Sequence, residues 1–127
     1  GREQVLPYKY RWRLFQKGEV FPGVTAMPFH GHTPGHSGYL VASGQDQLLI
    51  WGDIVHVPEV QTARPEVCMA FDTDTTAAEA TRRRVFDMVA TDKLLVTGMH
   101  LHFPGFTHLV PRGSGYQLIP AAWEQQI

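Results

Sequence analysis

The alternation of apolar and polar positions changes period several times along the chain, and each change marks an element. Residues 8–15 alternate aromatic and basic side chains, the two-residue period expected of a strand. Lys17-Gly18-Glu19 supplies turn chemistry, and residues 24–29 read as a second strand that runs into a loop at residues 30–36. Residues 38–42 and 47–51 are apolar runs joined by Ser43-Gly44-Gln45-Asp46, a hairpin signature. Leu48-Leu49-Ile50-Trp51 is apolar on both faces, which predicts a central, buried strand that stops at Gly52-Asp53.

Residues 58–71 contain Pro58 and Pro65 without a clear period and read as loop. Helical spacing then takes over. Thr76-Ala77-Ala78-Glu79 has the form of a capping box, Ala80, Phe86, Val89 and Ala90 follow near helical intervals, and Asp92 marks the exit. A short strand at residues 93–97, a loop at 98–104 and a last strand at 116–119 complete the pattern. Several strands with one long helix predict an α/β (α+β layered) fold, a mixed sheet with the helix on one face. Asp72 and Arg82 are expected to pair and dock that helix, and Arg82-Arg83-Arg84 reads as a solvated basic face.

Length and composition fit one domain over residues 1–127. The apolar share is 43%, enough for a core, and the net charge is −1 from 11 basic and 12 acidic residues. That balance predicts neither a nucleic-acid partner nor an anionic-membrane partner. A single cysteine, Cys68, rules out an intrachain disulfide. No run approaches the roughly 20 apolar residues of a membrane-spanning helix, and the N-terminus lacks signal-peptide character, so a cytoplasmic location is favoured. Leu109-Val110-Pro111-Arg112-Gly113-Ser114 spells a thrombin recognition sequence and reads as native because the chain continues past it.

The candidate chemistry lies in seven histidines, five of them in two short clusters. One cluster precedes the hairpin, at His30, His32 and His36; the other is His100 and His102. Asp53 falls between them, just after the buried strand. Imidazole nitrogen and carboxylate oxygen are natural zinc ligands, and strand ends hold such groups rigidly. His30 and His32, two apart on an extended segment, would face the same side and could supply a further pair of ligands.

His32-Thr33-Pro34-Gly35-His36-Ser37, Leu49-Ile50-Trp51-Gly52-Asp53, and His100 ahead of Phe103-Pro104-Gly105 together resemble the later motifs of metallo-β-lactamase-fold hydrolases. Phe71-Asp72-Thr73-Asp74 with Ala80-Thr81-Arg82 is similar to the branch containing methyl parathion hydrolase and lactonase-like enzymes. The resemblance implies half of an αββα sandwich, specifically its C-terminal half. It also implies metal ligation by His36, Asp53 and His100, with Asp53 bridging two ions and so serving as the catalytic carboxylate. His32, His56, His102 and His108 are expected to support the ligands or face the substrate.

The implied cofactor is zinc, one or two ions, with iron or manganese as alternatives. Such ions acidify water and polarise a carbonyl or phosphoryl oxygen. The family's first metal motif, His-x-His-x-Asp-His, does not occur in this sequence. The resemblance therefore implies a lactone, ester or phosphotriester hydrolase that needs complementation. The open sheet face would be covered by an N-terminal half or by a second copy in a homodimer. The rival expectation is a non-catalytic binding or structural domain that keeps the half-fold and carries no metal.

Overall fold

The computed structural model describes residues 1–122. One seven-stranded sheet runs in chain order: β1 (Gly18–Phe21), β2 (Val24–Pro28), β3 (Ser37–Ser43), β4 (Asp46–Ile50), β5 (Leu95–Thr97), β6 (Phe106–Arg112) and β7 (Gly115–Pro120). Neighbours pair antiparallel except β4 and β5, which are parallel. A parallel pair needs a long crossover. Here the crossover contains α2 (Pro58–Gln61) and the long helix α3 (Thr75–Asp92), while α1 (Arg2–Val5) precedes the sheet.

Helix α3 lays Ala78, Arg82, Val85, Phe86 and Val89 on one side, the spacing of a single helical stripe. That stripe meets Leu49, Trp51, Val96 and Leu109 from the sheet, with Trp51 and Phe86 rings 5.8 Å apart. Because side chains alternate across a strand, the neighbours Tyr39, Val41, Leu48 and Ile50 belong to the opposite face. There Phe106, Val110 and Ile119 keep 40%, 39% and 41% of their surface exposed. The mixed sheet with a helix on one face is thus as the pattern predicts.

Several expectations need correction. Residues 8–15 form no strand: a 3-10 turn occupies Leu6–Tyr8, and Tyr10 and Leu14 stand almost fully exposed. Alternation there has no sheet neighbour to satisfy it. Gly18 opens β1 instead of forming a turn, and β6, which the sequence reading missed, pairs along its whole length with β7. Pro111 sits inside β6, which is why the run did not read as a strand. The thrombin-like sequence is therefore built into the β6–β7 hairpin, with Arg112 opposite Gly115.

The region 58–71 is not all loop, since Pro58 starts α2. Helix α3 is capped not by Thr76 but by Asp74, whose Oδ1 accepts the Ala77 N–H at 2.9 Å. Arg82 is not solvated. It is 1% exposed, and only Arg83 and Arg84 face water.

The loop between β2 and β3 presses directly on α3. Gly31 has φ +133°, and a Cβ there would lie 2.2 Å from the Ala78 amide nitrogen. Only glycine fits both constraints. Gly31→Ala is expected to lose at least about 2 kcal/mol from strain and overlap together, read as a lower urea midpoint; an unchanged midpoint would show that the loop shifts freely.

Candidate metal centre

The site is built where three loops leave the same end of the sheet. His32 comes from the loop after β2, Asp53 and His56 from the segment after β4, and His100 from the loop after β5. Asp53 sits at the middle. Its Oδ2 is 3.5 Å from His32 Nε2 and its Oδ1 is 3.3 Å from His100 Nε2. The His56 ring lies 4.8 Å from both the His32 and His100 rings. Ligand atoms of His32, Asp53 and His56 all fall within 4.8 Å of one another.

Each member is aimed by its surroundings. His32 donates Nδ1–H to Asp72 Oδ1 at 2.9 Å, which fixes the tautomer and leaves Nε2 turned to Asp53. Asp72 Oδ2 accepts the Met69 N–H at 2.8 Å and lies 3.9 Å from the buried Arg82 guanidinium. Arg82 in turn donates to the carbonyls of Ile54, Pro65 and Val67 at 2.7–2.9 Å. The expected Asp72–Arg82 pair therefore exists, and it also orients a histidine of the cluster.

His56 is held through its backbone. Gln61, fully buried, accepts the His56 and Val57 N–H groups through Oε1 at 2.6 and 3.0 Å and donates Nε2–H to the Val67 carbonyl. Nothing in the sequence singles out Gln61, because a glutamine on a four-residue helix carries no pattern. Phe71 stands edge-on to His56 and His32, with ring centroids at 5.0 and 5.9 Å.

Burial pushes the His56 pKa down, and the neighbouring His32 and His100 push it the same way, so His56 is a neutral imidazole at neutral pH. Its Nδ1 is buried and has no hydrogen-bond partner among the described residues. Burial alone would raise the Asp72 carboxyl, but hydrogen bonds from His32 and the Met69 N–H, with the Arg82 charge, hold it below the usual range. A depressed carboxylate stabilises the fold fully above its unfolded pKa of about 3.9 and ceases to do so as pH falls through the folded value. Asp72→Asn is thus expected to flatten the acid limb of a pH–stability curve below about pH 4; an acid limb identical to that of the parent would show that Asp72 does not titrate with unfolding.

His36 does not join the cluster. Its Nδ1–H donates to the Phe29 carbonyl at 2.9 Å and its Nε2 accepts the Asp53 N–H at 2.9 Å. Both ring nitrogens are used, so an ion at His36 would first have to break one of these bonds. Gly52 (φ +61°) makes the contact possible, since a Cβ there would sit 2.6 Å from His36 Nε2. His32 occupies the place that the sequence reading gave to His36, and His36 takes the supporting place given to His32. The fixed spacing of the two histidines explains the exchange: either could be aimed from the Pro34-Gly35 turn, and only the tertiary contacts choose.

His102 turns away from the cluster to Glu59, at 2.6 Å, and His108 donates Nδ1–H to the Leu94 carbonyl at 3.1 Å near the start of β5. His30 is exposed, and only its backbone carbonyl is engaged, by the Thr81 hydroxyl at 2.7 Å. The His30–His32 pair is not assembled.

A family model described as the metallo-beta-lactamase superfamily matches residues 1–126. The chain belongs to that superfamily. Among solved structures, a hydrolase of the beta lactamase superfamily, AbOPH, superposes with a TM-score of 0.90 at 32% identity, over 98% of this chain and 44% of its own. AidC, a dizinc quorum-quenching lactonase, gives 0.85 at 21% identity, over 98% and 45%. An N-acyl homoserine lactone hydrolase gives 0.62 at 23% identity, over 84% and 45%. At their identities the last two show the fold alone. The chain spans less than half the length of each of these structures. No curated protein matches it. Among the described residues no helix is long and apolar enough to cross a membrane.

The donor set suits a borderline divalent ion: imidazole nitrogens beside one carboxylate, with Asp53 half open to solvent. The partnerless His56 Nδ1 and the Asp72-oriented His32 Nε2 are the features expected around an ion-holding shell.

Proposed function

We propose that His32, Asp53 and His100, with His56 beside them, hold one or two divalent ions, zinc foremost, and form part of the centre of a metal-dependent hydrolase. The substrate would be a small molecule with a lactone, ester or phosphotriester group. The observation that carries this reading is Asp53 lying between two imidazole Nε2 atoms, one of them oriented by a buried carboxylate. Such ions, when bound, polarise the reacting oxygen and acidify water.

The protein's own part is to aim. Asp72 fixes the His32 ring, Gln61 fixes the His56 backbone, and Phe71 sets its ring edge-on against both imidazoles. Full activity would require further ligands from outside residues 1–127, supplied by a complementing half or by a second copy packed on the half-exposed sheet face that carries Phe106, Val110 and Ile119. The alternative, a binding domain without catalysis, follows from the same four side chains if the centre stays incomplete.

Elemental mass spectrometry of protein purified without chelator separates the two. Zinc, iron or manganese near one equivalent per chain, removed by chelation and restored by zinc, is the expected result. No metal after incubation with zinc would overturn the metal reading. Metal-dependent turnover of simple lactones, esters or phosphotriesters would then distinguish the enzyme from the binding domain.

A further inference from the structure

The parallel register of β4 and β5 reaches further than the strands themselves. It pairs Leu48 with Leu95, Leu49 with Val96 and Ile50 with Thr97. Carried on at the same offset, it sets Trp51 against Gly98 and Asp53 against His100. The last backbone rung is the Trp51 N–H, which donates to the Thr97 carbonyl at 3.0 Å. Past it both segments leave the sheet, one into a 3-10 turn at Gly52–Ile54 and the other into the loop that starts at Gly98. Even so, Asp53 Oδ1 and His100 Nε2 come within 3.3 Å. Something beyond the ladder keeps the two segments in step.

Trp51 meets Gly98 at that point. The indole is fully buried and is braced by Phe86 of α3. A Cβ at Gly98 would lie 2.1 Å from Trp51 Nε1 and 2.4 Å from its Cδ1, so the pyrrole edge occupies the place of a side chain at residue 98. The same Cβ would lie 3.2 Å from the Gly52 carbonyl oxygen, which brings the backbone just ahead of Asp53 into the contact. Trp51 Nε1–H has no acceptor among the described residues. A buried donor without a partner lowers stability, so what the ring contributes here is shape and not a hydrogen bond.

Gly98 is also the last anchored residue ahead of His100. The Leu101 N–H donates to the Gly98 carbonyl at 3.4 Å and closes the turn that carries Met99 and His100. Thr97 Oγ1 donates to the Gly105 carbonyl at 2.8 Å and closes the base of the loop. Met99 is exposed and the His100 side chain is half open to water, so the turn takes its height from Gly98 below it.

We propose that Trp51 and Gly98 are positioning residues for the metal centre: the indole edge, seated on the bare Gly98 backbone, sets the separation of Asp53 and His100. Its consequence for an ion rests on the metal-dependent reading above; its geometry does not. A side chain at residue 98 would lift the turn off the indole and draw His100 away from Asp53. Withdrawing the pyrrole edge of Trp51 would make room for that side chain and let the turn settle back. Neither residue is a ligand.

The test uses protein with isotopically labelled histidines. Ring signals of the metal-free chain are followed by nuclear magnetic resonance, and zinc affinity by competition with a chromogenic chelator. Gly98→Ala should displace the His100 signal, leave those of His30 and His108 in place, and weaken zinc binding about ten- to a hundredfold. Adding Trp51→Phe to Gly98→Ala should return the His100 signal toward its parent position and recover most of the lost affinity. Residues in contact compensate in this way, whereas independent ones simply add their losses.

Losses that add, or a His100 signal unmoved by Gly98→Ala, would overturn the assignment. If Gly98→Ala alone fails to fold, the double variant decides: folded with a parent-like His100 signal supports the contact, and unfolded sinks it. A parent chain that binds no zinc sinks the metal centre, and the His100 signals of the metal-free variants still judge the contact. Zinc bound equally by parent and variants spares the centre and removes the positioning role.

Discussion

Arg82→Met is expected to be the most destabilising single change in the chain, lowering the urea midpoint by the equivalent of about 3–5 kcal/mol. Methionine matches the length of the arginine stem but donates nothing. The carbonyls of Ile54, Pro65 and Val67 and the carboxylate of Asp72 would then lose their shared partner inside a dry core. Removing one member of a buried, hydrogen-bonded charge set costs about 3–5 kcal/mol. Small domains hold only about 5–15 kcal/mol in all. Arg82→Lys should recover a minority of the loss, because a single ammonium cannot reach several carbonyls in the fixed geometry of a guanidinium. Urea denaturation followed by circular dichroism measures the series. A methionine variant within about 1 kcal/mol of the parent would show that water takes over those carbonyls.

Asp53→Asn is expected to reduce zinc affinity by more than about a hundredfold, and Asp72→Asn by about ten- to a hundredfold. The first removes the charge between two imidazoles and leaves a weaker amide oxygen. The second leaves the ligands in place and loosens only the His32 ring. The Asp53 side chain is 33% exposed and its backbone N–H still reaches His36 in the amide variant, so the fold should be little disturbed. Competition against a chromogenic chelator, with thermal unfolding as the control, gives both affinities. Equal losses for the two variants would argue that Asp53 is not itself a ligand.

Much of this was readable from the chain. The strands β2 to β5 and the long helix carry local signals of period and turn chemistry, and the placing of Asp53 and His100 near each other follows from a carboxylate and an imidazole at strand ends on the same side of the sheet. What escaped reading depends on contacts far apart in sequence. Residues 8–15 had the right alternation and no strand to pair with. The Asp72–Arg82 pair was legible, but the burial of Arg82 was not, because a triple arginine carries no mark of which member turns inward and the carbonyls it binds lie 15–28 residues away. The exchange of His32 and His36 has the same origin. Their local surroundings are nearly equivalent, and the choice is made by Asp72 on one side and by the Phe29 carbonyl with the Asp53 amide on the other. Gln61 had no signal at all, because its task is set wholly by the backbone groups it meets.

The lone parallel junction between β4 and β5 sets the order in which the molecule can assemble. The hairpins of β1 to β4, and the β6–β7 hairpin, close short loops and should form early. Joining them requires the whole segment from residue 51 to residue 94 to fold back across the sheet, a slower closure. Asp53 and His56 belong to that segment and His100 follows it, so the histidine cluster comes into being only with the final closure. If that closure follows the rate-limiting barrier, an ion held there would lengthen the lifetime of the native state without speeding its formation.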